Sequence, residues 1–250
     1  MSASILPLEA SELTFEAGGR RLIDRLTFTL EAGARTVILG PNGAGKSLLL
    51  RLCHGLLKPT RGAVGWHGGA PSPGTRQAMV FQQPVMLRRS TAANLGYALA
   101  CRGVPRRDRA ELLADALERT GLGHLARTSA RVLSAGEQQR LALARAWAMR
   151  PEVIFLDEPT ASLDPAATRA VENIVLAIHA AGTKVVLTTH DLGQARRMAD
   201  DVMFLHRGRL LERAPAAAFF DRPATPEARA FIAGELIPDH ESELDAPDDL

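Results

Sequence analysis

The chain has 250 residues, 46% of them apolar and 23% charged, with a formal net charge of +2; that balance suits a globular protein with a sizeable core. Its apolar runs, such as 153–156 and 185–187, are far shorter than the ~18 residues of a membrane span, and Glu9 and Glu12 stand where a secretory signal would be basic and then apolar. Two cysteines, Cys53 and Cys101, without CxxC spacing exclude a disulfide framework and a zinc site, and both are read as reduced space-fillers in helices.

The charge is uneven. Residues 235–250 hold seven acids and no Lys or Arg, so 21 acids against 30 bases leave +9 on the body, a balance compatible with nucleotides, anionic lipid or nucleic acid.

In chain order, Leu13 and Phe15, then Leu26, Phe28 and Leu30, alternate about Gly18-Gly19 and predict an antiparallel pair, followed by a buried strand at 36–39. Residues 46–57 have helical periodicity. Pro59, Gly62, Gly65, Gly68, Gly69, Pro71, Pro73 and Gly74 mark a turn-rich stretch with short strands, and 78–81 reads as another strand. Residues 91–150 read almost wholly helical, with breaks near Gly103-Val104-Pro105 and Gly121-Leu122-Gly123, which predicts an inserted helical subdomain at about 84–150. From Pro151 the pattern is strand, helix (165–181), strand (184–190), and a further strand at 202–206 before the turn Arg207-Gly208-Arg209. Such alternation predicts an α/β fold with a mainly parallel sheet and helices on both faces. Residues 1–235 form the expected domain and 236–250 an acidic, flexible tail.

Gly40-Pro41-Asn42-Gly43-Ala44-Gly45-Lys46-Ser47 fits G-x-x-x-x-G-K-[ST] between a predicted strand and a predicted helix, the context the motif requires. Glycines let the backbone wrap phosphate oxygens with its amides pointing inward, and the helix beginning near Lys46 and continuing through Leu48 adds its positive end. Lys46 is expected at the β- and γ-phosphates of a nucleotide and the Ser47 hydroxyl on Mg²⁺, which up to this point marks only some P-loop NTPase. Asp157 and Glu158 end an apolar strand, where ligands of parallel sheets bind. Asp157 is expected to hold Mg²⁺, and Glu158 to orient and polarise the attacking water. His190 ends a second apolar strand 32 residues later, where it either contacts the γ-phosphate or is merely structural.

Leu133-Ser134-Ala135-Gly136-Glu137, followed by Gln138-Gln139-Arg140, resembles the LSGGQ signature of ABC ATPases. Ser134 and Glu137 also fit a capping box; the two readings are compatible, because a capped helix start with a flexible Gly136 is an anion site. The remaining motifs follow in family order over residues 11–235: Gln82 in VFQQ, Asp157-Glu158-Pro159-Thr160, Ser162-Leu163-Asp164 and Thr189-His190-Asp191. The chain thus resembles the ATP-binding subunit of an ABC transporter, closest in appearance to bacterial importers of tungstate- and phosphate-like oxyanions.

That resemblance implies a P-loop NTPase (RecA-like) fold with an antiparallel β subdomain and an inserted helical subdomain, hydrolysing ATP with Mg²⁺. Lys46, Glu158 and His190 become its catalytic residues. Residues 40–48, Gln82, Asp157 and, from the partner copy, Ser134, Gly136 and Glu137 bind nucleotide, and Ser47, Gln82 and Asp157 the metal. It implies a homodimer sandwiching two ATP, docked on the cytoplasmic side of the cell membrane beneath a separate transmembrane permease, with a solute-binding protein acting indirectly. Val85, Met86 and Leu87 beside Arg88 and Arg89 suit a groove for the permease. Two departures stand out. Ala17 replaces the usual adenine-stacking aromatic, with Phe15 two residues away as a substitute, and Ala135 and Glu137 vary the signature. An ABC ATPase acting outside transport, for example with nucleic acid, is the alternative; no nucleic-acid partner is expected, since a coiled coil, extra domains or a second cassette is lacking.

Overall fold

A computed structural model describes residues 4–67 and 74–237. The chain forms two compact units, residues 1–72 with 188–250, and residues 73–187. Among the described residues no helix is long and apolar enough to cross a membrane.

In the first unit, β1 (Leu8–Ala17) pairs antiparallel with β2 (Arg20–Leu30) on one side and with β4 (Arg61–Trp66) on the other. The register of β1 against β2 shifts between Ala10 and Leu13, where Glu12 and Arg25 take φ of 47° and 48°. The bulge resets the alternation, so Ala10, Leu13 and Thr14 are all buried rather than every second residue. β3 (Thr36–Leu39), buried throughout, runs parallel to β8 (Asp201–His206), and β9 (Arg209–Pro215) lies antiparallel on β8. Just before β3, Arg35 grips Asp200 with a two-pronged bond at 2.9 and 2.7 Å. Phe204 of β8 packs its ring on Phe219 of α7 (Ala216–Asp221) and Phe231 of α8 (Pro226–Ala233), at 6.0 and 5.4 Å. The helix expected at 46–57 is α1 (Lys46–His54), shorter because Gly55 adopts the left-handed cap with φ of 83°.

In the second unit, β5 (Gln77–Val80) runs parallel to β6 (Val153–Asp157), and β7 (Lys184–Thr189) lies on the other side of β6, Lys184 N–H donating to Glu152 O at 2.8 Å. Its last two residues fall in the first unit. The helical expectation for 91–150 resolves into α2 (Thr91–Cys101), α3 (Arg106–Arg119) and α4 (Ala135–Trp147). Residues 120–134 carry only two single 3₁₀ turns, so that stretch is less helical than its composition suggests. Leu95, Ala116, Leu117, Leu122, Leu133 and Leu141 form one apolar cluster that welds α2, α3 and α4 together. α5 (Pro165–Ala180) starts with Asp164, whose carboxylate accepts Ala166 and Ala167 N–H, and with Pro165, whose missing N–H costs nothing there.

The cysteines divide: Cys53 is buried in α1, whereas Cys101, expected to fill space, is exposed at the end of α2. Glu235 and Leu236 are exposed, and the rest of the expected tail, 238–250, lies outside the described residues.

Candidate functional site

The phosphate loop joins β3 to α1 in the first unit. Gly43 and Gly45 take φ of 80° and 98°, left-handed values that cost a side-chain-bearing residue 1–2 kcal/mol or so and glycine nothing. Gly45 is also crowded: a Cβ there would meet Ile23 Cδ1 at 2.9 Å and Leu22 O at 3.2 Å. Gly45, at the N-cap of α1, has no side chain to cap it, and the first turn holds no acid, an arrangement that suits an anion at the positive end of the helix. Lys46 is only 5% exposed, its Nζ donating to Gly40 O and Pro41 O at 2.9 Å each. The ammonium is thereby folded back over the loop it springs from. Asn42 and Gly43 are exposed, Ser47 and Leu48 half-buried.

The loop has a buttress that the sequence did not announce. Gly208 N–H donates to Ala44 O at 2.9 Å, and its carbonyl accepts Asp24 N–H at 2.9 Å. Asp24, buried, receives Arg209 Nε at 2.9 Å and Arg21 Nη1 at 3.2 Å. The turn Arg207-Gly208-Arg209 was visible as a turn; only the pairing of β8 and β9 carries it to the phosphate loop. Also in this unit, His190 is exposed just beyond β7, and Asp191 caps α6 (Leu192–Met198) by accepting Gln194 N–H at 2.8 Å. Ala17 is exposed at the end of β1, and Phe15 is half-buried.

In the second unit, Val80 lies beside Leu156 in the parallel register. Gln82 therefore leaves its strand at the same end at which Asp157 and Glu158 leave theirs. Asp157 is buried, Glu158 half-buried with φ of 42°, and Gln82 exposed. The signature opens α4 as a full capping box: Ser134 Oγ accepts Glu137 N–H, and Glu137 Oε2 accepts both Ser134 N–H and Ser134 Oγ–H at 2.8 Å each. Those bonds, backbone first, hold the Glu137 carboxyl below its usual range. At Gly136 an added Cβ would lie 2.7 Å from Cβ of Ala167, so the signature sits against the first turn of α5 directly after Ser162-Leu163-Asp164. Arg145, further along α4, donates to Val85 O at 3.0 Å. Of the expected apolar trio only Val85 is exposed; Met86 packs on the helical cluster and Leu87 is half-buried.

A glycine-built phosphate loop between a buried parallel strand and a helix defines a P-loop nucleotide-binding protein. The family model for ABC transporters matches residues 23–161, and the chain belongs to that family, among its ATP-binding proteins. Phosphate import ATP-binding protein PstB 2 of Natronomonas pharaonis is 36% identical, covering 88% of this chain and 84% of its own length. Tungstate uptake system ATP-binding protein TupC of Peptoclostridium acidaminophilum is also 36% identical, covering 83% of this chain and 98% of its own. Relatives named for the import of methionine, ferric iron and taurine match at 33–37%. Among solved structures, cbiO1 from Clostridium perfringens, part of the ABC transporter complex cbiONQ, superposes with a TM-score of 0.78 at 27% identity, covering 86% of this chain and 91% of that one.

Proposed function

We propose that the chain binds and hydrolyses ATP and so drives a membrane importer of a small solute. The observation that carries this reading is the phosphate loop: left-handed glycines, an uncapped helix start, and the Lys46 ammonium already held on Gly40 and Pro41 carbonyls. A triphosphate replaces those two neutral acceptors with charged oxygens, a gain for the ammonium that the loop amides reinforce.

Glu158 is the group that orients the attacking water, and His190 the donor toward the γ-phosphate. Ser47, Gln82 and Asp157 all offer oxygen, the donor type that Mg²⁺ prefers; when bound, the ion neutralises charge between the β- and γ-phosphates. The start of α4 serves the nucleotide of a second copy, because Ser134, Ala135 and Gly136 present a hydroxyl and helix-terminal amides. Val85, with Arg88 and Arg89, faces the permease, and the bond from Arg145 to Val85 links that contact to the signature helix. The work is done on the cytoplasmic side of the membrane, with the solute-binding protein reached only through the permease.

Phosphate and tungstate, the solutes named for the two 36% relatives, are both tetrahedral oxyanions, and that class is the solute we propose. Glu158→Gln is expected to keep ATP affinity while turnover falls about 10²-fold or more, and Lys46→Ala to lose most of the affinity, both read with a fluorescent nucleotide and a phosphate-release assay. Near-normal hydrolysis by Glu158→Gln removes that residue from its role. Stimulation of the permease-bound ATPase by oxyanions, and not by amino acids, tests the solute.

A further inference from the structure

The signature's donors are already in use. Ser134 offers a hydroxyl and a backbone N–H, and one oxygen of Glu137 accepts both, at 2.8 Å each. The hydroxyl oxygen in turn accepts Glu137 N–H at 3.4 Å. Its single proton is therefore committed to a carboxylate of its own chain. Only the amides of Ala135 and Gly136, the next two in the helix, stand outside this closed ring. The basic side chains near Glu137, Arg140 and His124, lower its pKa less than the two bonds to Ser134 do.

We propose that Glu137 is a positioning residue that weakens the ATP sandwich: its carboxylate occupies the place of a γ-phosphate oxygen at Ser134 and must yield before Ser134 can grip the nucleotide held by the other copy. The inference rests on the two-copy reading above. Two physical effects act in one direction. A hydroxyl has one proton, so the bond to the incoming phosphate forms only as the bond to Glu137 breaks. The displaced carboxylate then remains beside a polyanion, and like charges in a closing, water-poor interface repel more strongly than in solvent. A glutamine at this position keeps the capping geometry, since its amide oxygen still accepts from Ser134, but it carries no charge. It yields the hydroxyl at lower cost and can turn its NH₂ toward the phosphate. Differential affinity for the closed state is what shifts the equilibrium toward it, so Glu137 sets how much ATP is needed to close the dimer.

The test is ATP-dependent dimerisation in the Glu158→Gln background, followed by analytical ultracentrifugation with and without Glu137→Gln. The Gln variant is expected to dimerise at about three- to tenfold lower ATP, with a shallower dependence on salt and an unchanged melting temperature without nucleotide. Glu137→Ala separates charge from capping: its monomer melts earlier, yet its dimer also closes at lower ATP than the Glu chain. Equal or higher ATP demand in the Gln variant overturns the proposal while leaving the sandwich intact. Absence of any ATP-dependent dimer in both backgrounds, with ATP still bound, overturns the two-copy reading and this inference together.

Discussion

Replacing Gly136 by Ala sets local propensity against packing. Gly136 is the second residue of α4, and a helical glycine exchanged for alanine gains about 0.5–1 kcal/mol from backbone entropy. The added Cβ, however, would lie 2.7 Å from Cβ of Ala167, whereas carbon atoms in contact prefer about 3.5–4.0 Å. Both atoms are fixed directly to backbone, so no rotamer change relieves the overlap of about 1 Å; the start of α4 has to move from α5. Overpacking of that kind costs about 1–3 kcal/mol, and from the middle of both ranges a net loss of about 1.2 kcal/mol remains after the propensity gain. For a chain of this size that lowers the melting temperature by about 2–5 °C, followed by scanning calorimetry or by the fluorescence of Trp147 at the end of α4. The double variant Gly136→Ala/Ala167→Gly removes the struck atom, and its loss should be smaller than the sum of the single losses by about 1–3 kcal/mol. A Gly136→Ala chain as stable as the native one, or strictly additive effects, would refute the packing argument.

Gly45→Ala places a side chain at φ of 98° and against Ile23; nucleotide affinity should fall at least tenfold, measured by fluorescent-nucleotide titration, and unchanged affinity means the loop tolerates a Cβ. Burial pushes the Cys53 thiol up to about 12, whereas Cys101 is exposed. A thiol reagent should therefore label one cysteine quickly in the native protein and two only after unfolding, with Cys101→Ser abolishing the fast one. Burial also pulls the His54 imidazole below its ordinary pKa. The unfolded chain then binds the extra proton first as pH falls, so the associated stability is intact above about pH 6.5 and is lost on acidification below it. His54→Gln should flatten that part of a melting-temperature profile between pH 7 and 5, and an unchanged slope assigns it elsewhere.

Much of the site was legible because its chemistry is local. The order strand, G-x-x-x-x-G-K-S, helix places backbone amides, a cation and a helix start within eight residues, and no long-range contact is needed to assemble them. The capping box at Ser134 and Glu137 was legible for the same reason, both partners lying in one turn. Boundaries were less so. Residues 56 and 57 continue the apolar pattern of α1, but Gly55 ends the helix by its own backbone freedom. Residues 120–134, where Gly121 and Gly123 mark a break in the helical pattern, fold into 3₁₀ turns, and Leu122, Ala130 and Leu133 each pack into the cluster of α2, α3 and α4.

By itself the sequence determined the elements, the phosphate loop, the carboxylates at the end of β6 and the family they resemble, all of which rest on neighbours in the chain or on strand and helix periods. Tertiary structure alone decided that Gly208, 164 residues after Ala44, holds the loop's carbonyl, that Asp24 is buried between arginines of β2 and β9, and that Ala167 leaves no room beside Gly136. Those contacts join residues far apart in the chain at separations of a few ångströms. A hydrogen bond or a van der Waals overlap depends on such distances, and no periodicity in the amino-acid order encodes them.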